Sequence, residues 1–387
     1  LVTSETGVSA LPVALTDVEQ AVLRSIRLNP GRSRAQIAAE LDLSRSMLTK
    51  AVSTFDAAKL IREERTTPTH RERGQPPISL SLNPDAFNSI GIYVSDRHSA
   101  VVLADLGGTV RRRLLRERQS GASDVRDSII DDVAHCVREA RAPILGVGHA
   151  VPGIVGEDGH LFDVTPSQAM IPFVEIAADI SARFQLPVFR ENASYGIAGF
   201  ESLRPGSHRR CVFNLTLDYG VGGGLAVDGV IFRGAFNQAA NIGALVPETG
   251  PRPSLTDLAR HLSLAIDHLT EDRLTTMLAD GHPGLLAWID DRGRRLSVPM
   301  ATVVQFFNPD LICVGGFFPA ALLEQIRRRI DLDVLDTPGR RPLIKPPITL
   351  TELLGPSGFA EAAALLPIAS LLLGQKTPRA GGRTAPL

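Results

Sequence analysis

The chain has 387 residues, 44% hydrophobic and 21% charged, with a formal net charge of −1. That size and mixture exclude a single small domain, a disordered polymer and a uniformly basic coat protein. Cys136, Cys211 and Cys313 are too few and too scattered for a disulfide framework or a thiolate metal site, so they read as free core thiols of a reduced compartment.

Charge is unevenly spread. Residues 1–83 hold 11 Lys and Arg against 9 Asp and Glu, leaving 30 against 33 for the remainder. Any DNA contact must therefore come from a local cationic surface at the N-terminal end. Thr16 is placed to cap a helix running to Leu28, with apolar residues at Val18, Val22 and Ile26, and Asn29-Pro30-Gly31 stops it. Ser33 caps a second helix, Arg34 to Leu41, that buries Ile37, Ala38 and Leu41. Ser44 caps a third, from Arg45 to about Ala58. Its inward face reads Leu48, Val52 and Phe55, while Arg45, Ser46, Thr49 and Lys50 point the other way.

Two short helices, a tight turn and a third helix with a polar start form the pattern of a helix-turn-helix. In that geometry Arg45 reaches guanine edges in the major groove, and Ser46 and Thr49 reach bases or phosphates, with Lys50 free for a phosphate. A small helical bundle with a solvated polar face is the competing reading of the same spacing. Leu60-Ile61 and the alternating Ile78–Leu82 then read as a hairpin around the polar segment 62–77. Such a hairpin is a wing, laying Arg73-Gly74-Gln75-Pro76 in the minor groove with Arg73 drawn by its negative potential. A flexible linker is the alternative.

From Asn88 the periodicity changes. Residues 89–95, 99–105 and 109–116 read as three strands, with Leu106-Gly107-Gly108 as the second turn. A helix over 123–141, a buried strand Ile144–Val151, a helix from Pro172 to Gln185 and a strand 186–189 follow. A second three-strand start appears at Cys211–Leu217, 223–227 and 230–232. Helices near 254–269, 271–278 and 297–307, a strand 311–314 and a last helix to about Leu373 complete the pattern. The apolar runs 362–366 and 368–373 are interrupted by Pro367 and fall short of a membrane span. No basic-then-apolar leader opens the sequence, so a cytoplasmic location without membrane contact is expected. Residues 1–15 and 375–387 are expected to be mobile ends.

The repeated start predicts an α/β, two-lobed body, about 84–374, behind a winged helix at 16–83, with a small-ligand cleft between the lobes. One lobe is expected to take about 84–190 plus the last helix, the other about 191–357. The glycine run Gly220–Gly224 is compatible with amides approaching a phosphate or with a plain tight turn, and carries no P-loop Lys-Ser/Thr.

Several short segments together resemble the ROK family (repressors, open reading frames and kinases), in its winged-helix repressor branch. They are Arg73-Gly74-Gln75-Pro76 with Leu82-Asn83-Pro84, Gly91-Ile92, and Val151-Pro152-Gly153. Leu186 to Asn192, Gly222-Gly223-Gly224 with Asp228-Gly229, Asn308-Pro309-Asp310, Val314-Gly315-Gly316 and Gly358–Ala364 continue the series. The resemblance covers about Thr16 to Gly374 and implies an actin-like ATPase duplication.

The family's kinases carry an Asp and Gly-Gly-Thr in their first phosphate loop, where this chain has Tyr93, Ser95, Asp96 and Arg97. The general-base Asp that follows Glu-Asn is Ala193, whose methyl group accepts no proton. The Gly-Glu-Ile-Gly-His motif aligns with Ala240-Asn241-Ile242-Gly243-Ala244, without the sugar-binding Glu and the zinc-binding His, and the accompanying cysteines are missing from 245–255. His261 and His268, seven apart, are read on one helix and not as ligands.

The resemblance therefore implies a repressor without catalytic residues, metal or cofactor. Its expected partners are a double-stranded operator, a second copy of the chain in a homodimer or higher oligomer, and a sugar-like effector near Ser167, Asn192, Asn241 and Glu248. An active sugar kinase with an appended DNA-binding domain is the alternative; a body reduced to a dimerisation scaffold is a third.

Overall fold

The computed structural model describes residues 14–65, 78–95, 97–117, 124–156, 160–246, 249–341 and 343–377. The chain divides into two compact units. One comprises Leu1–Ala193, Leu203–His208 and Ala360–Leu387; the other comprises Ser194–Ser202 and Arg209–Phe359.

The first unit opens with α1 (Asp17–Leu28), β1 (Arg32–Ser33), α2 (Arg34–Glu40), α3 (Arg45–Ala57), β2 (Ile61–Arg65) and β3 (Ile78–Leu82). Thr16, Ser33 and Ser44 cap the three helices as their sequence positions predict, the first two in reciprocal boxes with Glu19 and Gln36. Val22, Ile26, Ile37, Leu48, Val52 and Phe55 are buried together with Leu80 of the hairpin.

Three local expectations need correction here. The chain after the Asn29-Pro30-Gly31 stop forms β1, giving a three-stranded sheet β1-β3-β2. Leu41 is only half-buried, because α2 ends at Glu40. The alternation of 78–82 does not alternate in burial: Ile78 is exposed and Ser79 is buried. β1 lies opposite Ser79 and Leu80 only, and Ser79 Oγ is satisfied by the Glu64 carbonyl at 3.0 Å.

The unit continues through β4 (Asn88–Val94), β5 (His98–Asp105), β6 (Val110–Glu117), α4 (Val125–Glu139) and β7 (Ile144–Val151). Then come β8 (Ile154–Val155), β9 (Leu161–Phe162), α5 (Pro166–Ala169), α6 (Phe173–Phe184) and β10 (Val188–Asn192). The sheet order is β10-β7-β4-β5-β6, with β4–β5–β6 an antiparallel meander and β4, β7 and β10 parallel. Strands β4 and β7 are buried on both faces, as parallel strands covered by helices must be. One face packs on α4 and α6.

On the other face the last helix (Gly355–Leu372) comes so close that a Cβ on Gly91 would lie 1.9 Å from the Ala360 carbonyl, and one on Gly148 1.8 Å from that of Ala363. These glycines are spacers for helix-on-sheet contact. Pro367 lies inside this helix without interrupting it, so the last helix runs on to Leu372, close to the expected end at Leu373. Ala363, Leu366 and Ile368 around it are at most 3% exposed, so packing holds the turn that the proline would open in isolation. By length and composition the helix could cross a membrane, yet most of it is buried in the protein.

The second unit holds α7 (Ala193–Ser202) from its second residue, β11 (Cys211–Leu217), β12 (Val221–Val227), β13 (Val230–Ile231), α8 (Leu255–Leu262) and α9 (Glu271–Ala279). It goes on with α10 (Pro283–Arg295), α11 (Ser297–Phe307), β14 (Leu311–Gly316), α12 (Ala320–Arg327) and β15 (Ile348–Leu350), and the last helix is α13. Its sheet order, β15-β14-β11-β12-β13, repeats the first: an antiparallel meander beside parallel strands.

Of the glycine run only Gly220 lies in the turn between β11 and β12. Gly222, Gly223 and Gly224 lie inside β12 opposite Thr216, Leu215 and Asn214. A Cβ on Gly224 would meet the Ser194 carbonyl at 2.3 Å, so the missing side chain admits the start of α7. The helix expected over 254–269 ends at Leu262, where Ser263 turns left-handed at φ 53°, so His261 and His268 do not share a helix. Asn308-Pro309-Asp310 also proves structural: Asn308 ends α11 at φ 44°, and Asp310 Oδ2 accepts the Arg210 and Cys211 amides at 2.6 and 2.8 Å.

Candidate nucleic-acid interface and effector site

α3 presents Arg45, Ser46, Thr49 and Lys50 to solvent, while Leu48, Ala51, Val52 and Phe55 are buried. Ser53, Thr54 and Ala57 extend the same shallow groove along the helix. Met47, 45% exposed, adds an apolar group beside them that sequence reading passed over. The helix is pinned from behind by Glu19 on α1, whose carboxylate accepts from the Thr16 amide and hydroxyl and from Thr54 Oγ1 at 2.8 to 2.9 Å. Burial works to raise the Glu19 carboxyl, but the hydrogen bonds from Thr16 and Thr54, with Lys50 nearby, outweigh it and hold it below its ordinary value. The Thr-x-x-Glu spacing was the available signal for the cap, but not for the reach to α3.

The β2–β3 hairpin follows α3 directly, and Arg34 of α2 pairs with Glu63 on it. Its expected tip, Arg73-Gly74-Gln75-Pro76, lies outside the described residues. The exit from the hairpin is held by Asn83, which accepts from Arg62 Nε and donates to the Lys59 carbonyl, each at 2.9 Å.

At the far end of α1, Arg27 is 3% exposed. Its Nε donates to the Leu203 carbonyl at 2.9 Å, and its Nη1 lies 3.4 Å from the carbonyls of Leu106 and Gly107. Burial pulls its pKa down to about 10, against the opposing pull of Asp105. The Gly206 amide donates to the Leu28 carbonyl at 2.8 Å. A helix of the winged domain is thus keyed into the rest of the first unit, through its Leu203–His208 segment and the β5–β6 turn.

Of the expected effector residues, Asn192 ends β10 in the first unit and donates its amide to the Gly153 carbonyl, which joins two of the family-like segments. Asn241 stands exposed in the second unit at the start of a 3-10 turn, Ile242–Leu245. Ser167 falls in α5 with its side chain outside the described residues, and Glu248 lies outside them altogether. Ala193 is 9% exposed, at the first position of α7. Between β4 and β5 the Ser95 amide donates to the His98 carbonyl at 2.8 Å, and Ser95 Oγ accepts the His98 amide at 3.1 Å. That closed turn spends amides an open phosphate loop would present; Asp96 lies outside the described residues. Among the described residues no three or more His, Cys, Asp or Glu gather for a metal.

These features define a winged-helix domain on a duplicated α/β body with the actin-like ATPase fold. The ROK family model matches residues 89–365, and the chain belongs to the ROK family. It is 22% identical over 312 residues to the xylose repressor of Bacillus subtilis (strain 168), covering 76% of this chain and 80% of that protein. A solved ROK family transcriptional regulator, a homolog of the E. coli MLC protein, superposes with a TM-score of 0.64 at 20% identity over 92% of this chain and 97% of that one. A ROK family glucokinase from Streptomyces griseus, solved with glucose and AMPPNP, gives 0.58 at 19% identity over 72% and 98%. Both structural likenesses concern the fold.

Proposed function

We propose that this chain is a DNA-binding transcriptional repressor whose kinase-derived body no longer transfers phosphate and serves dimerisation and small-molecule sensing. The observation that carries the reading is α3: a capped helix with four exposed polar side chains in its first turns, braced by Glu19 and followed by a hairpin. Its first turn has the form that enters a major groove, and a two-fold pair of such helices would read a two-fold operator. The xylose repressor relative favours a sugar-related effector. Against phosphoryl transfer stand Ala193 in place of the family's general base and the hydrogen-bonded turn at Ser95.

Selection of the full-length chain on random duplexes tests the reading. A two-fold consensus bound by a dimer is the expected result. Uniform binding without sequence preference would reject it.

A further inference from the structure

Arg190 sits on β10, the edge strand of the first sheet, and is 4% exposed. Its Nε and Nη1 are buried and unbonded, and no carboxylate among the described residues pairs with it. The β7 register places it beside His149, which is fully buried with both ring nitrogens unbonded and its ring 5.8 Å from that of Phe173. Burial draws the imidazole down to about 3, with Arg190 adding to the effect, so His149 is neutral and offers no counter-charge.

A guanidinium does not shed its proton at neutral pH, and a buried charge without a partner is strongly unfavourable. Elsewhere this chain obeys that rule: Arg292 meets buried Asp257 at 2.9 Å, and Arg27 meets backbone carbonyls. Arg190 does not, although it stands two residues before Asn192. Side chains two apart on a strand share a face, so the guanidinium and the Asn192 amide look the same way. The family's general-base carboxylate, which would repel an anion, is here Ala193, three residues after Arg190.

We infer that Arg190 is the anion-recognising residue of the effector site: the small molecule sensed by this chain carries a carboxylate or a phosphate monoester, beside hydroxyls that suit Asn192. The inference rests on the body being a sensor. A guanidinium presents paired N–H donors that match either group. The effector is then an acidic sugar derivative, and neutral hexoses leave the charge unpaired.

Thermal unfolding of the full-length chain is followed in inorganic phosphate, D-glucuronate, glucose 6-phosphate and glucose, each at the ionic strength of a chloride control. The wild type gains stability in phosphate or glucuronate and not in glucose. Arg190→Met shifts half-saturation at least tenfold higher, while Arg190→Lys keeps part of the gain. A response confined to glucuronate assigns the carboxylate; one confined to the phosphates assigns the phosphate monoester. Equal responses of wild type and Arg190→Met overturn the proposal. Should that variant not fold, a wild type indifferent to every anion overturns it instead. Operator binding measured on the same samples separates the two readings. Specific DNA binding without an anion response rejects only the role of Arg190, and absent specific DNA binding rejects the repressor.

Discussion

Arg27 of the winged helix donates its Nε–H to the backbone carbonyl of Leu203, 176 residues away in sequence, at 2.9 Å. Leu203 directly follows α7, and α7 begins directly after Asn192. The chain thus leads from an expected effector residue, along one helix, to the carbonyl that seats the DNA-reading domain.

Replacing Arg27 with Met should remove that seat. The buried carbonyls of Leu203 and Leu106, and the half-buried one of Gly107, would lose their donor, at a cost of about 1–3 kcal/mol. Urea unfolding should show the loss. Operator affinity should persist while its response to effector shrinks. Full effector response in a destabilised variant would show that Arg27 only holds the fold.

On α3, Arg45→Ala should cost on the order of 1–3 kcal/mol at a cognate base pair and relax preference there. Lys50→Ala, acting on phosphate, should weaken all sequences alike and lower the salt slope by about one unit. Quantitative DNA binding at several salt concentrations distinguishes the two. Unchanged affinity in both variants would remove α3 from the interface.

What the sequence made legible were features decided within a few residues: the caps at Thr16, Ser33 and Ser44, the outward face of α3, the strands at Ile144–Val151 and Cys211–Leu217. What it hid were features decided at long range. Arg27, between Ile26 and Leu28, reads as a solvated helix residue, because its partners lie 79 to 176 positions away. Gly222–Gly224 looks like a loop until Ser194 is seen against it. α10 opens on Pro283, a residue that breaks helix interiors but sits here at the helix start, where its lacking N–H costs nothing. Ala193 and Ala244 were legible as losses against the family pattern, but what Arg190 adds appears only once its burial is known.

His149 should make the protein acid-labile in a defined window. Its folded pKa is depressed to about 3 by burial and by Arg190, against an ordinary value of 6.5. Between these values the unfolded chain binds a proton that the native chain refuses. Stability is therefore complete above about pH 6.5 and falls as pH drops towards 3, by up to about 1.4 kcal/mol per pH unit from this group. Carboxylates such as Glu324, held near 2 by Arg327 and Arg328, add loss below about pH 4.5. The readout is accordingly the difference between wild type and His149→Leu from pH 5 to 7. A flatter profile is expected for the variant; parallel profiles would mean that the imidazole is solvated.

Finally, the body should neither phosphorylate nor tightly hold a neutral hexose, and Ala193→Asp alone should not restore turnover. The general base is only one part of phosphoryl transfer; the nucleotide must also be cradled, and here the first turn is closed between Ser95 and His98. Sugar selectivity in the family draws on carboxylates and an imidazole at positions now held by Ala193, Asn241 and Ala244. Each lost charge-assisted hydrogen bond removes about 1.5–3 kcal/mol. Two or three such losses weaken binding by several orders of magnitude, which leaves glucose in the millimolar range or beyond. Calorimetry with glucose and a coupled ADP-release assay on wild type and Ala193→Asp check both statements. Micromolar glucose binding abolished by Asn192→Ala would mean that the retained amide suffices to hold a neutral hexose. Sustained ADP release by the wild type with any sugar would return the chain to the kinases.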